Sequence, residues 1–268
     1  MTLVTTKTLS RAFGDSTTML RRSLKHMVRY PSMTVTLIGM PVVFLLLFVY
    51  VFGGTLGAGL GGAAGGRAEY ANYVAPGILL MTIAANAQGT AISVAMDMTE
   101  GVIARFRTMA IARVSVLTGH VLGSVIQAVL GLAVVTGVAL LVGFRPTAGL
   151  AGWLAAAGVL VLIAFAITWL SVALGMVTKT VEAASNLPMP LVFLPFLGSG
   201  FVPPESMPTV LRVFAEYQPF TPFIETVRGL LLGTPIGNSA VLTVAWSAGI
   251  ALAGYVWAKA LFNREPAA

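Results

Sequence analysis

Residues able to support catalysis are scarce and scattered in this chain. Only two histidines occur, His26 and His120, and neither belongs to an H-E-x-x-H pair that could hold zinc. None of the four lysines follows a glycine, so the sequence contains no Walker A loop for ATP. Cysteine is absent, which rules out disulfides and thiolate metal sites. We therefore expect no catalytic, cofactor-binding or metal-binding residue on this chain.

Charged residues gather instead in one short stretch, DMTEGVIARFRTMAIAR, at residues 97–113. On a helical wheel, Phe106 and its apolar neighbours share one face, and Arg105 and the next arginine lie opposite. This pattern predicts a short amphipathic helix over about residues 99–110, with Asp97 among the acids placed to cap its N-terminus. The apolar face of such a helix needs a partner. An ordinary loop with arginines is the alternative interpretation.

A few polar and aromatic side chains interrupt the long apolar runs. Asn86, Gln88 and Gln127 either line a cavity for a substrate or hydrogen-bond to neighbouring helices, and we favour the second interpretation. Phe44 and Phe193 could face an apolar cavity, a seam between two copies, or lipid. These five residues are the candidate substrate contacts.

Composition identifies the class of protein. Of the 268 residues, 57% are hydrophobic and only 9% are charged, whereas a soluble domain carries roughly 25% charged residues. Such a chain is expected to be a polytopic membrane protein of the all-α class. The net charge of +7 then indicates basic loops on the cytoplasmic side and anionic lipid, and not nucleic acid.

Six segments are apolar and long enough to cross a bilayer. They cover residues 32–52, 72–96, 115–143, 150–177, 185–202 and 237–262. The fifth contains Pro188, Pro190 and Pro195, which predicts a bent helix packed among others. The glycine-rich stretch after the first span, GGTLGAGLGGAAGGRAEY, is typical of a flexible linker.

Two further segments are amphipathic and too polar to span. Residues 9–29 separate apolar and basic side chains onto opposite faces, which predicts a helix in the membrane interface, within an N-terminal unit of residues 1–30. The second segment, 203–232, holds five charges and five prolines and predicts two short helices at the membrane surface. No cleavable signal peptide is visible, so we expect the N-terminus to be retained in the cytoplasm.

Basic residues support this orientation. With the N-terminus inside, twelve lysines and arginines are cytoplasmic and four are external. Six spans with both termini in the cytoplasm are the simplest topology, and they form a transmembrane unit of residues 31–268. The charged stretch at 97–113 is then cytoplasmic.

Three segments of the chain resemble the ABC-2 type permeases, particularly those of the daunorubicin-resistance type. EGVIARFRTMAIAR, at residues 100–113, is similar to the family's pattern E-x-G-x-x-x-R-x-R-x-x-P-[IV]-x-R. GFRP, at 143–146, resembles the end of the third span. GSGFVPPESMPTVLRVFAEYQPFTPFIETVRGLLLG, at 198–233, follows the family's segment before the last span.

The resemblance implies a bacterial plasma-membrane permease that forms a dimer of identical copies, with two separate ATPase subunits docked beneath it. The segment between spans two and three would be the coupling helix, whose ATPase contacts would be Glu100, Gly101, Arg105, Phe106, Arg107 and Arg113. Residues 1–30 would form the connecting helix, and residues 203–232 an external re-entrant hairpin. ATP and magnesium would bind the partner ATPase.

The sequence departs from the family pattern at two places. Ala110 stands where many members have a proline, which allows a longer coupling helix. Gly119–His120 and Ser124 stand where many members have Gly-Arg and a later aspartate, so the role of that charge pair does not carry over.

The expected function is export of a hydrophobic or amphipathic compound, either a drug-like natural product or a lipid, driven by the partner ATPase and conferring multidrug or antibiotic resistance. Within the same architecture, the substrate could be a polysaccharide, a sodium ion or a peptide. A membrane-embedded lipid-modifying enzyme would need a convergent acid, histidine or metal constellation, which the sequence lacks. A passive channel would not need the docking helix.

Overall fold

The computed structural model describes residues 31–61, 66–99, 113–178 and 180–263. Every secondary-structure element within these ranges is a helix, as expected for a chain whose backbone polar groups must be satisfied inside lipid. The predicted interfacial helix at 9–29 lies outside the described residues, and so does nearly all of the predicted coupling helix at 99–110.

Ten α-helices occur in the described ranges. They are α1 (Pro31–Leu47), which continues through a π-helical turn (Phe48–Phe52) into α2 (Gly53–Gly61), then α3 (Arg67–Thr99), α4 (Arg113–Val142), α5 (Leu150–Val177), α6 (Val181–Asn186), α7 (Met189–Phe193), α8 (Thr209–Tyr217), α9 (Phe220–Leu232) and α10 (Ser239–Asn263), with a 3-10 turn (Pro204–Ser206) before α8.

Five helical stretches in the described part of the chain are long and apolar enough to cross a membrane. They are the continuous helix from α1 to α2, and α3, α4, α5 and α10. These correspond to the first four predicted spans and the last, and α5 has the predicted bounds of 150–177. Long apolar segments locate spans well because only helices satisfy their own backbone in hydrocarbon.

The glycine-rich stretch is not a flexible linker over its first half, so that prediction was wrong. Residues Gly53–Gly61 form α2 and extend the first spanning helix. A Cβ atom added to Gly57 would lie 2.3 Å from the carbonyl oxygen of Gly66. The glycines therefore let α2 and the start of α3 approach backbone to backbone, and this packing stabilises a helix that glycine alone disfavours.

The predicted fifth span is not one helix. Residues 181–202 form α6, α7 and a series of turns, because each proline lacks the N–H group that a continuous helix would use. This broken segment, residues 181–202, still runs antiparallel along α3. Gln88 contacts Ser185, and Tyr70 contacts Phe201, so the segment follows about 27 Å of α3 at a rise of about 1.5 Å per residue.

The helix α3 is the centre of the bundle. In its most apolar 18 residues, 83% are buried, whereas the same measure for the other four long helices lies between 17% and 33%. Many of its buried residues are alanine or glycine, and small residues let neighbouring helices pack closely in a membrane. For example, a Cβ atom on Gly77 would lie 2.7 Å from the carbonyl oxygen of Gly200 in the broken segment.

The helices α5 and α10 run parallel to each other. Trp169 on α5 packs against Tyr255 on α10, with ring centroids 5.1 Å apart. At the other end, Gly152 near the start of α5 contacts the backbone of Leu230 on α9, and the start of α10 also packs on α9 through Thr243. The chain between α5 and α10 therefore returns from one end of the bundle to the other.

A small hydrophobic cluster joins four helices at the end of the bundle where α3 ends and α4 begins. We call it the terminal cluster. Its buried members are Val94, Leu117, Val121, Trp169, Val172, Ala173, Met176, Ala258 and Phe262. It holds the end of α3, the start of α4 and the ends of α5 and α10 together.

The two short helices predicted in residues 203–232 are present as α8 and α9, but they are used differently. The helix α9 is largely buried against the bundle. The helix α8 exposes most of its apolar side chains, including Val210 and Tyr217, which are 83% and 78% exposed. Gly233 ends α9 in the left-handed conformation, with φ of 72°, which a glycine adopts without strain.

Candidate functional site

The predicted ATPase contacts are bracketed by described helices. Glu100, Gly101, Arg105, Phe106 and Arg107 lie outside the described residues. The helix α3 ends at Thr99, and α4 begins at Arg113, the last member of the predicted set. The predicted coupling segment therefore connects the central helix of the bundle to its neighbour α4.

Asp97 and His120 form a hydrogen-bonding contact that the sequence did not predict. The Nε2 atom of His120 lies 3.0 Å from Oδ2 of Asp97, and Asp97 is only 8% exposed. Asp97 was expected to cap the helix at 99–110, but in the structure it lies within the last turns of α3 and faces α4. The Thr99 hydroxyl donates back to the carbonyl oxygens of its own helix, at Ala95 and Met96.

His120 is therefore not an isolated histidine. It occupies the position where the family pattern has an arginine, and it contacts an acid on the preceding helix. A signal was available in the sequence, since Asp97 begins the charged stretch and His120 follows its end by seven residues. Their pairing depends on the register of α3 against α4, which periodicity does not determine.

The amides in the spans make interhelical contacts. The Nδ2 group of Asn86 donates to the carbonyl oxygen and to Oγ of Ser124, at 2.9 Å and 3.0 Å. The Thr90 hydroxyl donates to the Asn86 carbonyl oxygen at 3.0 Å and also contacts the Ser124 hydroxyl. Asn86 is 5% exposed, so this polar group is buried with partners and not open to a ligand.

Gln88 joins α3 to the broken segment, because its Nε2 group donates to the carbonyl oxygen of Ser185 at 2.7 Å. Gln127 lies on α4 and is partly exposed. Within the described part of the chain, no hydrogen bond links Gln127 to Asn86 or Gln88. Asn86 and Gln88 therefore face different neighbours of α3.

The two candidate phenylalanines, Phe44 and Phe193, lie in different surroundings. Phe44 belongs to an aromatic cluster of α1, the π-helical turn and the broken segment, and its ring lies 5.6 Å from that of Phe196. The other members are Phe48, Phe52 and Phe201, with Phe196 stacked on Phe201 at 4.3 Å. Phe193 lies outside these described ring contacts and is 54% exposed.

Sequence reasoning assigned Arg228 only to an external loop, whereas the structure places it at a junction of three elements. Its Nη2 group donates to the carbonyl oxygens of Ser199 at 2.6 Å and Tyr73 at 3.1 Å. The guanidinium carbon lies 4.0 Å from the centroid of the Tyr73 ring. Arg228 therefore fastens α9 to α3 and to the broken segment. The available signal was its place three residues after Glu225, within the segment 198–233 that resembles the family.

The short sequence QPFTP forms the joint between α8 and α9. Oε1 of Gln218 accepts a hydrogen bond from the Phe220 N–H at 3.1 Å, and its Nε2 group donates to the Leu194 carbonyl oxygen at 3.2 Å. The Thr221 hydroxyl donates to the carbonyl oxygen of Ala215 at 2.6 Å. These contacts satisfy backbone groups that the surrounding prolines leave without helical partners.

Comparison with known proteins identifies the family. A sequence model of the ABC-2 type transporter family matches residues 16–232. The chain belongs to the ABC-2 type transporter family. The match includes the charged stretch at 97–113 and the residues around Arg228, so the resemblance predicted from these segments is confirmed.

Two similar proteins carry related names. The chain is 30% identical, over 240 residues, to the daunorubicin resistance ABC transporter permease protein DrrB1 of Streptomyces coeruleorubidus. The aligned residues cover 89% of this chain and 82% of that protein. It is 25% identical, over 177 residues, to a protein of Mycobacterium tuberculosis named as a probable doxorubicin resistance ABC transporter permease protein, DrrC. Here the aligned residues cover 66% of this chain and 64% of that protein.

Membership of the ABC-2 family makes this chain a membrane-spanning permease component of ABC transport. The relatives are named as permease proteins, which are transport components and not catalytic subunits. The family therefore implies an ABC ATPase as a partner. Both named relatives are bacterial.

Proposed function

We propose that this ABC-2 permease exports a hydrophobic or amphipathic compound, such as a drug-like natural product or a lipid. The similarity to a daunorubicin resistance permease over 82% of that protein's length carries this proposal. Export is energised by a separate ATPase that binds ATP and magnesium. The permease itself changes no covalent bond.

The proposed topology has six crossings, although only five are single long helices. The observation that supports it is the course of residues 181–202, which follow α3 from the level of Gln88 to that of Tyr70. Because α5 and α10 run parallel, the chain between them has to cross the bundle. Both termini then lie in the cytoplasm, and α8 and α9 form an external re-entrant hairpin.

The proposed coupling helix covers residues 99–110, with Glu100, Gly101, Arg105, Phe106 and Arg107 as its ATPase contacts. Its position between α3 and α4 supports this assignment, since α3 touches most of the bundle. ATP binding closes two ATPase copies, and their motion moves the coupling helix as a lever. The permease then shifts between inward-open and outward-open states.

The proposed assembly contains two identical permease copies. Exposed apolar side chains on α1 and on the broken segment support this proposal, because Met40 and Phe193 are 52% and 54% exposed on neighbouring elements. Substrate would bind along the same face, near the aromatic cluster around Phe44. The amides Asn86 and Gln88 shape this region indirectly, because their hydrogen bonds fix the elements that pack against α3. Gln127 lies on α4.

The test is reconstitution of the permease with candidate ATPases in lipid vesicles, using daunorubicin as the transported probe. We expect co-purification, ATP hydrolysis that the permease stimulates, and ATP-dependent movement of the probe. Glu100→Ala and Arg105→Ala should weaken assembly and hydrolysis, whereas Arg212→Ala, on the exposed face of α8, is the matched control. If both coupling variants assemble and hydrolyse ATP like the unaltered protein, the coupling assignment is wrong.

Topology has an independent test, because the chain contains no cysteine. Single cysteines replacing Thr6 and Ser206 should react from opposite sides of the membrane with an impermeant maleimide. Equal labelling of both from one side would contradict the proposed orientation.

A further inference from the structure

The contact between Asp97 and His120 lies at the base of the proposed coupling helix. Asp97 is three residues before Glu100, and His120 is seven residues after Arg113. The two side chains therefore connect the helix that enters the coupling segment to the helix that leaves it. At 3.0 Å between Nε2 and Oδ2, they are in direct hydrogen-bonding contact.

This contact lies beside the terminal cluster, where α3 and α4 also pack against α5 and α10. Val94 on α3 and Leu117 and Val121 on α4 are buried members of that cluster, at 0%, 3% and 1% exposure. Met98, which follows Asp97, packs against it as well. A displacement passed to the ends of α3 and α4 can therefore reach four helices, provided that these two ends move together.

The pair is not needed merely to hold α3 and α4 side by side. Asn86, Thr90 and Ser124 already join the same two helices deeper in the bundle. A buried hydrogen bond contributes only modest net stability, because folding exchanges it for hydrogen bonds to water, whereas its directional geometry specifies one arrangement. The last turn of α3 is also the place where a helix would otherwise fray from its neighbour.

We infer that Asp97 and His120 are positioning residues for coupling. They clamp the end of α3 to the start of α4, so that motion of residues 100–112 is passed to the bundle as a rigid displacement and is not absorbed by separation of the two helix ends. This inference rests on the proposed function, because it requires an ATPase that moves the coupling segment. Neither residue touches nucleotide or substrate in this proposal.

The test measures transport of daunorubicin per ATP hydrolysed, in vesicles that contain the complete permease–ATPase complex. In Asp97→Ala and His120→Ala, assembly and basal hydrolysis should persist, and the transport-to-hydrolysis ratio should fall roughly fivefold or more, the range of a typical coupling between sites. The losses in the double variant should be less than additive, because the two side chains contact each other. His120→Arg, which keeps a donor facing Asp97, should restore most of the ratio.

A reversible crosslink separates clamping from folding. With cysteines replacing Asp97 and His120 in a chain that has no others, the reduced protein should be uncoupled. A short bifunctional methanethiosulfonate reagent should restore the ratio, and a reductant should abolish it again. If the two cysteines cannot be bridged, or if bridging leaves the ratio low, the inference is overturned.

A matched control is the hydrogen bond between Thr226 and Thr243, which joins α9 to α10 at 3.0 Å far from the coupling segment. Thr226→Val should leave the transport-to-hydrolysis ratio unchanged. If it lowers the ratio as much as His120→Ala, the loss reflects general loosening and the inference fails. If the unaltered permease does not stimulate ATP hydrolysis in the complex, the proposed function itself is refuted. If hydrolysis is normal and the transport-to-hydrolysis ratio is unchanged in all Asp97 and His120 variants, only the inference about these two residues is refuted.

Discussion

Gly254 on α10 offers a quantitative test of the parallel packing of α5 and α10. A Cβ atom at this position would lie 2.6 Å from the Leu170 nitrogen and 2.7 Å from the Trp169 carbonyl carbon. Both neighbours are backbone atoms, so no change of rotamer can relieve the contact. Carbon atoms in contact prefer about 3.5–4.0 Å. The substitution Gly254→Ala therefore has to push the two helices apart by about 1 Å.

The expected cost follows from two opposing effects. Overpacking a tight contact costs about 1–3 kcal/mol, and alanine is favoured over glycine within a helix by about 1 kcal/mol. The net effect of Gly254→Ala is a loss of stability of up to about 2 kcal/mol. Gly249, on the same helix, has no heavy atom within 4 Å of its added Cβ, so Gly249→Ala keeps only the favourable contribution.

The two variants each add one methyl group, at different positions of the same helix, and their comparison cancels most other effects. Thermal unfolding of the purified permease in one detergent should place Gly254→Ala below Gly249→Ala. A difference of about 1–3 kcal/mol corresponds to at least about 2 °C in Tm for a protein of this size. If Gly254→Ala unfolds at the same temperature as Gly249→Ala, or higher, the close approach of α5 and α10 is incorrect.

Three further predictions concern contacts that fix the helices. Asn86→Leu removes the hydrogen bonds to Ser124 and should lower stability by about 0.6–2 kcal/mol, measured as a lower Tm, with the preference among transported compounds unchanged; a changed preference would indicate a direct substrate contact. Arg228→Lys loses the planar stacking and the shared donor of the guanidinium, and we expect a loss of about 1–3 kcal/mol in the same assay; a Tm equal to that of the unaltered protein would contradict the junction. Gly57→Leu should reduce the folded yield because its side chain would meet the backbone of Gly66; normal yield and Tm would mean that α2 does not pack there.

The predicted coupling site depends on sequence more than on the structure described here. Its residues were recognised from a helical wheel and from the pattern E-x-G-x-x-x-R-x-R, and family membership supports the segment as a whole. The roles of Glu100, Arg105 and the other contacts remain predictions. The structure contributes the location of this segment, between the most buried helix and α4, which a linear motif does not contain.

The candidate substrate residues show the limit of reading polar side chains one at a time. Asn86 and Gln88 are hydrogen-bonded to other helices, as favoured from the sequence. Phe44 joins the aromatic cluster, whereas Phe193 is 54% exposed and lies outside its described ring contacts. An amide in an apolar run must find a partner, and its partner depends on how the helices are arranged.

Sequence alone determined the all-helical membrane class, the approximate positions of five long spans and the two short helices before the last one. These features depend on local composition, since lipid forces each apolar segment of sufficient length into a helix. Tertiary structure decided that Gly53–Gly61 is helical, that residues 181–202 run along α3 as a broken chain, and that Asp97 meets His120. Each of these depends on how closely two backbones approach and in which register, and that is set by contacts between residues far apart in the chain.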